Sequence, residues 1–383
     1  MATAVVIGGG IAGAASAIAL RKAGIAADVH EAHPHGADDL GAFLTIMHNG
    51  MDALRAVDAH RGVIAASFPA ADVEFYAADG RLLSRQPMGS DRGELMTPRT
   101  IRRAGLYRAL HDELRARGGE VFFGRRLREV RRVPGGVRAV FEDGTVAEGD
   151  LVVGADGIHS RARALLDPDA PPPRHTGLTV VYGYAADAPD PAPAATYRMI
   201  TGSRAYFGYT TDPDGCSWWF ARLPCPELTP DELRATPPGA WRERTAAFFR
   251  DDETPAARII AATGDDVRAG SAYDVPTTRR WHDGSLVLVG DAAHAASPAA
   301  GQGASMALED AVVLAQCVRD LGDAGTAFAT YEALRRERVE RLVAVSSAQG
   351  VTQTSAEEVD QRPRSRAWLY EHHLDWDATV GTG

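Results

Sequence analysis

Gly8, Gly10 and Gly13 follow a short apolar run, Ala4 to Ile7, and open an Ala-rich stretch from Ile11 to Ala23 that closes at Gly24. Strand, tight turn and helix, in that order, are the setting in which a G-x-G-x-x-G spacing carries chemical meaning. The glycines let the backbone turn sharply and approach a pyrophosphate. The free N–H groups of the helix start, around Ile11 and Ala12, favour its charge. Glu31 ends the next strand, Asp28 to Glu31, where a carboxylate can accept both hydroxyls of a ribose. The three features together predict a dinucleotide site rather than a purely structural glycine turn.

Two further segments repeat the design of an apolar strand ending in small residues. Gly290-Asp291-Ala292-Ala293-His294, then Pro298-x-x-Gly301-Gln302-Gly303 with Ala304, lead from the apolar run Ser285 to Val289 into a helix from Gly303 to Leu321. Taken alone, Asp291 reads as readily as a satisfied helix cap as a ligand contact. Gly154-Ala155-Asp156-Gly157-Ile158-His159-Ser160 follows the run Leu151 to Val153 and, alone, fits any β-turn.

In this order the three segments resemble the single-component FAD-dependent aromatic hydroxylases, the para-hydroxybenzoate hydroxylase-like (group A) flavoprotein monooxygenases. The resemblance covers roughly residues 1–165 and 281–345. It implies that Gly8, Gly10, Ile11, Ala12 and Gly13 hold the ADP part of FAD, with Glu31 on the ribose. Arg103, in register with Leu106 and Leu110, would reach FAD, and Asp156 with Gly157 would touch both FAD and NAD(P)H. Gly290 and Asp291 would meet the ribityl chain, while Pro298, Gly301, Gln302, Gly303 and Ala304 would pass the isoalloxazine ring. Ala32 and Ser305 depart from the family's usual Arg and Asn.

The implied activity uses NADH or NADPH and molecular oxygen, through a flavin C4a-hydroperoxide, to hydroxylate an aromatic or polyketide-like small molecule. Such chemistry needs a dry site. No second glycine fingerprint follows a strand, so NAD(P)H is expected as a transient co-substrate. A flavin dehydrogenase, oxidase or reductase, or a flavin-holding module without catalysis, are the competing readings. His294 is expected to pack or to support the site from behind.

The substrate side is read from an aromatic-rich region. Runs at Thr179 to Tyr184, Thr196 to Ile200, Arg204 to Thr210 and Ser217 to Leu223 predict an antiparallel sheet. Alternation puts Tyr182 with Tyr184, and Trp218 with Phe220 and Arg222, on common faces. Tyr182, Tyr184, Tyr206, Trp218 and Trp219 are candidate substrate contacts, with core packing as the alternative for each. Arg204 is the candidate for an anionic or polar ring, or else a solvated strand-end residue. His48 and Pro298 complete the candidate catalytic group.

The elements that must position these residues give an α/β chain: a Rossmann-like FAD-binding domain, an inserted antiparallel β-sheet substrate domain and C-terminal helices. The FAD-binding parts are expected at residues 1–72, 96–167 and 281–345. The substrate domain is expected as a hairpin at 73–95 plus 168–280, and a C-terminal helical segment at 346–383. Further helices are expected at Asn49 to Ala59, Leu106 to Arg117, Trp241 to Arg250, Pro255 to Ala262 and Ala327 to Ala348. With 383 residues, two packed units are the natural expectation. A hydrophobic share of 45% excludes wholesale disorder, and a net charge of -10 argues against nucleic acid as a partner. Lys22 is the only lysine, which leaves little room for Schiff-base chemistry. The three cysteines, Cys216, Cys225 and Cys317, fit no metal-ligand spacing. Glycines interrupt the apolar N-terminus, so neither a signal peptide nor a membrane span is expected. The expectation is a cytoplasmic monomer or homodimer.

Overall fold

The computed structural model describes residues 2–35, 42–88, 96–348 and 368–381. Five parallel strands form one sheet, in the order Leu286–Leu288, Leu151–Gly154, Thr3–Ile7, Ala26–His30 and Val121–Phe122. Val5 sits beside Val152 on one side and Asp28 on the other, and Val153 faces Val287. Strands covered on both faces need continuous apolar runs, which is what Ala4–Ile7 and Leu286–Leu288 supply. The helix Ile11–Lys22 is nearly all Ala, Gly and Ile over its buried length. Its small side chains let it lie between this sheet and the long helix Gly303–Leu321, which is buried over its first four turns.

The second large sheet has seven strands, in the order Val267–Asp274, Arg174–Ala185, Ser217–Pro224, Tyr206–Thr211, Thr196–Thr201, Asp72–Ala77 and Leu82–Pro87. It is antiparallel except where Thr196–Thr201 runs parallel to Asp72–Ala77. One face packs Phe207, Tyr209 and Trp219 against Phe249, Ile259 and Ile260 of the following helical segment. The other face looks toward the glycine loops. A small sheet of Phe43–Ile46, Arg99–Arg102 and Phe68–Pro69 bridges the two layers and feeds directly into the helix Arg103–Ala116.

Several elements differ from expectation. The strand near Arg204 begins only at Tyr206, because Gly202 N–H bonds to the Ala205 carbonyl at 3.0 Å and closes a tight turn that carries Arg204. Strands Leu127–Val133 and Val267–Asp274 were hidden by interleaved Arg, Glu and Gly, yet pairing with Gly136–Phe141 and Arg174–Ala185 forms them. The helices expected at Trp241 and Ala327 begin earlier, at Pro238 and Ala324, and the helix expected at Asn49 begins at His48. Residues 89–95 of the expected hairpin, and residues 349–367 and 382–383 of the expected C-terminal segment, lie outside the described residues.

Residues 368–381 make one helical turn and then run irregularly along the first layer. Arg338 donates to the carbonyls of Trp368 (2.6 Å) and Leu369 (2.8 Å). The Asp52 carboxylate accepts from Leu374 N–H at 2.7 Å, and Arg319 donates to the Trp376 carbonyl at 2.6 Å. Among the described residues no helix is long and apolar enough to cross a membrane.

Candidate active site

The glycine loop is built by exclusion of side chains. Gly8 has φ +104°, and a Cβ there would lie 2.4 Å from the Ala155 carbonyl oxygen; one at Gly13 would lie 1.9 Å from the Gly8 oxygen. Helix and strand therefore meet at backbone distance. At Gly10 a Cβ would find nothing nearer than the Tyr107 hydroxyl at 3.8 Å, so this glycine, with Ile11 and Ala12, faces open space. Glu31 closes the loop from below, its carboxylate accepting Gly9 N–H at 2.6 Å and His33 N–H at 2.7 Å. The His111 ring nitrogen Nε2 meets the Gly9 carbonyl at 2.7 Å, and burial lowers that imidazole's pKa.

The second loop approaches from the far edge of the parallel sheet. Gly290 has φ +58°, and a Cβ there would press on the Ala12 methyl at 2.8 Å. Its N–H donates to Asp310 Oδ2 at 2.9 Å, which aims Asp291 into the same space as Gly10. A 3-10 turn, Pro298–Ala300, then Gly301 at φ +63° and Gln302 lead into the helix Gly303–Leu321. Pro298, Gly301, Gln302, Gly303 and Ala304 all border the opening, and among the described residues no side chain caps this helix. Its first N–H groups are available to an electron-rich ligand.

Behind the loop lies a buried ionic network that the sequence reading did not identify. Arg335 bridges Asp310 (Nε to Oδ1, 2.8 Å) and Glu309 (Nη1 to Oε2, 2.5 Å). Glu309 also accepts from Arg338 and from Asn49, whose Nδ2 reaches Gln302 Oε1 at 3.1 Å. His294 Nε2 meets Asp310 Oδ2 at 2.5 Å and packs near Trp281, the supporting role expected for it. Burial alone would raise both carboxylates. Arg335 and Arg338 hold Glu309 down to about 2, and His294 with Arg335 hold Asp310 well below its usual range. Ser305, standing where Asn was the family norm, accepts Met47 N–H at 3.1 Å through its hydroxyl.

Both loops open on one cavity of about 1070 Å³ whose opposite wall is the seven-stranded sheet. Of the sequence candidates, Tyr182, Tyr206, Arg204, Arg103 and Gly157 line it together with the loop residues. Arg103 Nε and Gln302 Nε2 are buried donors without a partner among the described residues, and both residues border the cavity. Two unanswered buried donors beside a Cβ-excluding glycine loop fit a polar, anionic cofactor such as FAD.

Other candidates sit elsewhere. Trp219 is on the opposite face, 0% exposed, its indole N–H on Thr263 Oγ1 at 2.8 Å; strand alternation puts it on the other side of the sheet from Trp218 and Phe220, of which Phe220 lines the cavity. Tyr184 and Trp218 share the Tyr182 face but lie farther along it, packed edge-on with each other and with Phe43 beneath the Arg102 guanidinium. They support the wall and do not line the cavity. His48 is buried at the start of the helix His48–Ala56, outside the lining. The Asp156 carboxylate points back into its own turn, accepting Ser160 Oγ at 2.5 Å and the N–H groups of Arg161 and Ala162; burial raises its pKa. Gly8, Gly13, Glu31 and Gly290 shape the loops from outside the lining.

Arg204 lies at the rim, its Nη1 donating to the Ala247 carbonyl at 3.3 Å and its guanidinium 5.1 Å from the Phe248 ring. Deeper in the wall is Arg222, stacked 4.0 Å above the Tyr206 ring. Its signal was present in the Phe220–Arg222 alternation. Tyr370 and Glu371, from the C-terminal segment, also reach the cavity, and no local pattern announces that.

The FAD binding domain family matches residues 1–346. The aurachin C monooxygenase/isomerase of Stigmatella aurantiaca is 32% identical over 346 residues, 90% of this chain and 88% of that protein. The 3-amino-4-hydroxybenzoate 2-monooxygenase of Streptomyces cremeus is 31% identical over 380 residues, 97% of this chain and 93% of that protein. Among solved structures, Klebsiella pneumoniae HpxO complexed with FAD and uric acid superposes with a TM-score of 0.80 at 26% identity, over 97% of this chain and 93% of that one. With its glycine loops, its cavity and these relatives in agreement, the chain belongs to the FAD binding domain family and is an FAD-dependent monooxygenase.

Proposed function

We propose that the chain takes two electrons from NADH or NADPH, splits molecular oxygen, and places one oxygen atom on an aromatic or polyketide-like small molecule while the other leaves as water. The carrying observation is the continuity of one cavity between the two glycine loops and the aromatic sheet wall. Its volume exceeds the usual range of about 300–1,000 Å³ for a single drug-sized ligand, leaving room for a cofactor ring and a substrate together. FAD, when bound, supplies the two-electron exchange and the activation of oxygen.

The chain's own residues then have distinct tasks. Gly10, Ile11 and Ala12 receive the pyrophosphate at the helix start, and Glu31 serves the ribose beside them. Arg103 and Asp291 contact the middle of the cofactor, and Pro298 to Ala304 flank its ring. Tyr182, Phe220 and Tyr206 keep water from the reacting face. We assign residues 1–72, 96–167 and 281–345 to the cofactor unit and the seven-stranded sheet to the substrate unit.

Turnover under labelled molecular oxygen tests the reading. A product heavier by one labelled oxygen atom supports it; a product changed only by two hydrogens makes the enzyme a dehydrogenase or oxidase. Arg204 at the rim is assigned to substrate sensing. Stopped-flow reduction of Arg204→Ala should lose the rate increase that substrate gives the native enzyme, and unchanged stimulation would return Arg204 to the solvated surface.

A further inference from the structure

The seven-stranded sheet has a cavity on each face. Along Thr196–Thr201 the side chains alternate: Tyr197, Met199 and Thr201 line the main cavity, while Arg198 and Ile200 line a second one of about 490 Å³. The neighbouring strand Asp72–Ala77 repeats the division, with Phe75 on the main side and Tyr76 on the other. The two cavities share no lining residue. Opposite the sheet, the second is walled by the connection between the helices Pro238–Ala247 and Ala256–Ala261. Glu253 N–H closes one end by donating to the Ala78 carbonyl at 2.8 Å, beside Gly80, where a Cβ would lie 2.6 Å from the Glu253 oxygen. The volume is that of a site for one small ligand.

Its polar groups divide into a satisfied set and an unsatisfied one. On the sheet, Arg198 donates to Glu74, Asp190 and the Tyr209 hydroxyl, each at 3.1 Å, and Glu74 also accepts from Tyr76 at 2.9 Å. On the facing connection, Asp252 Oδ1 accepts the Ser203 N–H at 3.2 Å and the Ser203 hydroxyl at 2.6 Å. Among the described residues no cation pairs with this carboxylate, and its Oδ2 and the Thr254 hydroxyl are buried with no hydrogen-bond partner. A carboxylate oxygen taken from water without a donor is costly, so the site lacks a cationic group. Arg250 and Arg258 border the same cavity, are exposed, and form no ion pair among the described residues.

We propose that this second cavity binds a small zwitterion, an amino acid with an apolar side chain, and that its occupant fixes the turn at the rim of the main cavity. The ammonium answers Asp252 and the Thr254 hydroxyl. The carboxylate meets Arg250 and Arg258, whose donor forks match its two oxygens. Ile200, Phe249 and Pro255 supply an apolar floor for the side chain. An amine alone would leave the arginines unanswered, and an acid alone would leave Asp252. The link between the cavities is Asp252 itself. It holds the turn through Ser203, and its Oδ2 lies against Gly202, where a Cβ would be 2.5 Å away. Thr201, Gly202, Ser203 and Arg204 line the main cavity, so a ligand that fixes the carboxylate from behind orders the rim in front.

The test needs no turnover. FAD-loaded enzyme is titrated calorimetrically with L-leucine and L-phenylalanine, and with the N-acetyl derivative and the amide of each, which lack the ammonium or the carboxylate. Native protein should bind at least one free amino acid about 10- to 150-fold more tightly than either derivative, the range for one hydrogen bond to a charged group. Asp252→Asn keeps an acceptor for Ser203 and should lose the preference over the N-acetyl form, with the melt of the unliganded protein unchanged. Arg250→Gln combined with Arg258→Gln, both at exposed positions, should lose the preference over the amide, and decides alone if Asp252→Asn melts early. Hydrogen exchange at residues 202–206 should slow when the amino acid binds, and the flavin absorbance should stay as it was. The proposal is overturned if neither amino acid binds, if the arginine variant keeps the preference, or if exchange at 202–206 does not slow. A perturbed flavin spectrum would put the amino acid in the main cavity and overturn it equally.

Discussion

Replacing Arg335 by methionine removes the guanidinium that serves two buried carboxylates at once. Glu309 and Asp310 are 0% exposed and Arg335 is 1% exposed, so no solvent can take over. In the variant Glu309 keeps Arg338 and Asn49, while Asp310 keeps His294 and the Gly290 N–H. Of the two adjacent carboxylates only Glu309 then keeps an arginine. Breaking a buried pair by removing one partner costs about 3–5 kcal/mol, because the charge left behind is uncompensated. Urea or guanidinium unfolding at saturating FAD should show that loss.

Arg115→Met, which breaks an exposed pair with Asp112, should lose less than about 1 kcal/mol and calibrates the comparison. FAD affinity should fall in the same Arg335 variant, since Asp310 holds the Gly290 N–H and Glu309 reaches Gln302 through Asn49. A stability loss under about 1 kcal/mol, with unchanged FAD affinity, would refute the reasoning and mark the network as electrostatically neutral to the fold.

Asp291→Ala should weaken FAD binding by about 1.5–3 kcal/mol in a fluorescence titration, the range for hydrogen bonds to a charged group; native affinity would show that Asp291 does not touch the cofactor. Glu31→Ala removes the acceptor of the Gly9 N–H at 2.6 Å and should lower FAD occupancy without changing turnover once FAD saturates, whereas lost turnover in fully loaded enzyme would contradict an adenosine-side role. Glu309 is held down to about 2 from an ordinary 4.5, so its contribution to stability is complete above about pH 4.5 and is lost as pH falls toward 2. Unfolding free energies between pH 3 and 7 should fall more steeply with acid in the native protein than in Glu309→Gln, and parallel slopes would count against the assignment.

The cofactor half of the molecule was legible because its demands are local. A glycine whose Cβ would lie 2.4 Å from a carbonyl oxygen, or an apolar run buried on both faces, leaves its mark within a dozen residues. The substrate half was legible only as far as strand parity. Alternation separates Trp218 from Trp219 correctly, but which face meets the cofactor depends on helices packed from elsewhere in the chain. Arg204 looked like a strand residue until the Gly202 turn moved it to the rim, and Arg222 takes its place in the cavity wall only where three strands meet. The Glu309–Asp310–Arg335 network has no sequence signature at all. Its members read as the polar positions of two long helices, and only the packing of those helices turns them inward.

The pairing of the parallel sheet also dictates an order of assembly. The first strand, Thr3–Ile7, has Leu151–Gly154 as one neighbour, and that strand in turn needs Leu286–Leu288 on its other edge. During synthesis the glycine loop is therefore made first, and Leu151–Gly154, once paired beside its strand, keeps an open edge until the substrate strands as far as Asp274 have also been made. Contacts of such long sequence separation slow folding and leave an unpaired strand exposed in the interval. A truncation anywhere before Leu286 yields a half-built sheet with a sticky margin, and the chain has to be dissected or fused with that late-arriving strand in place.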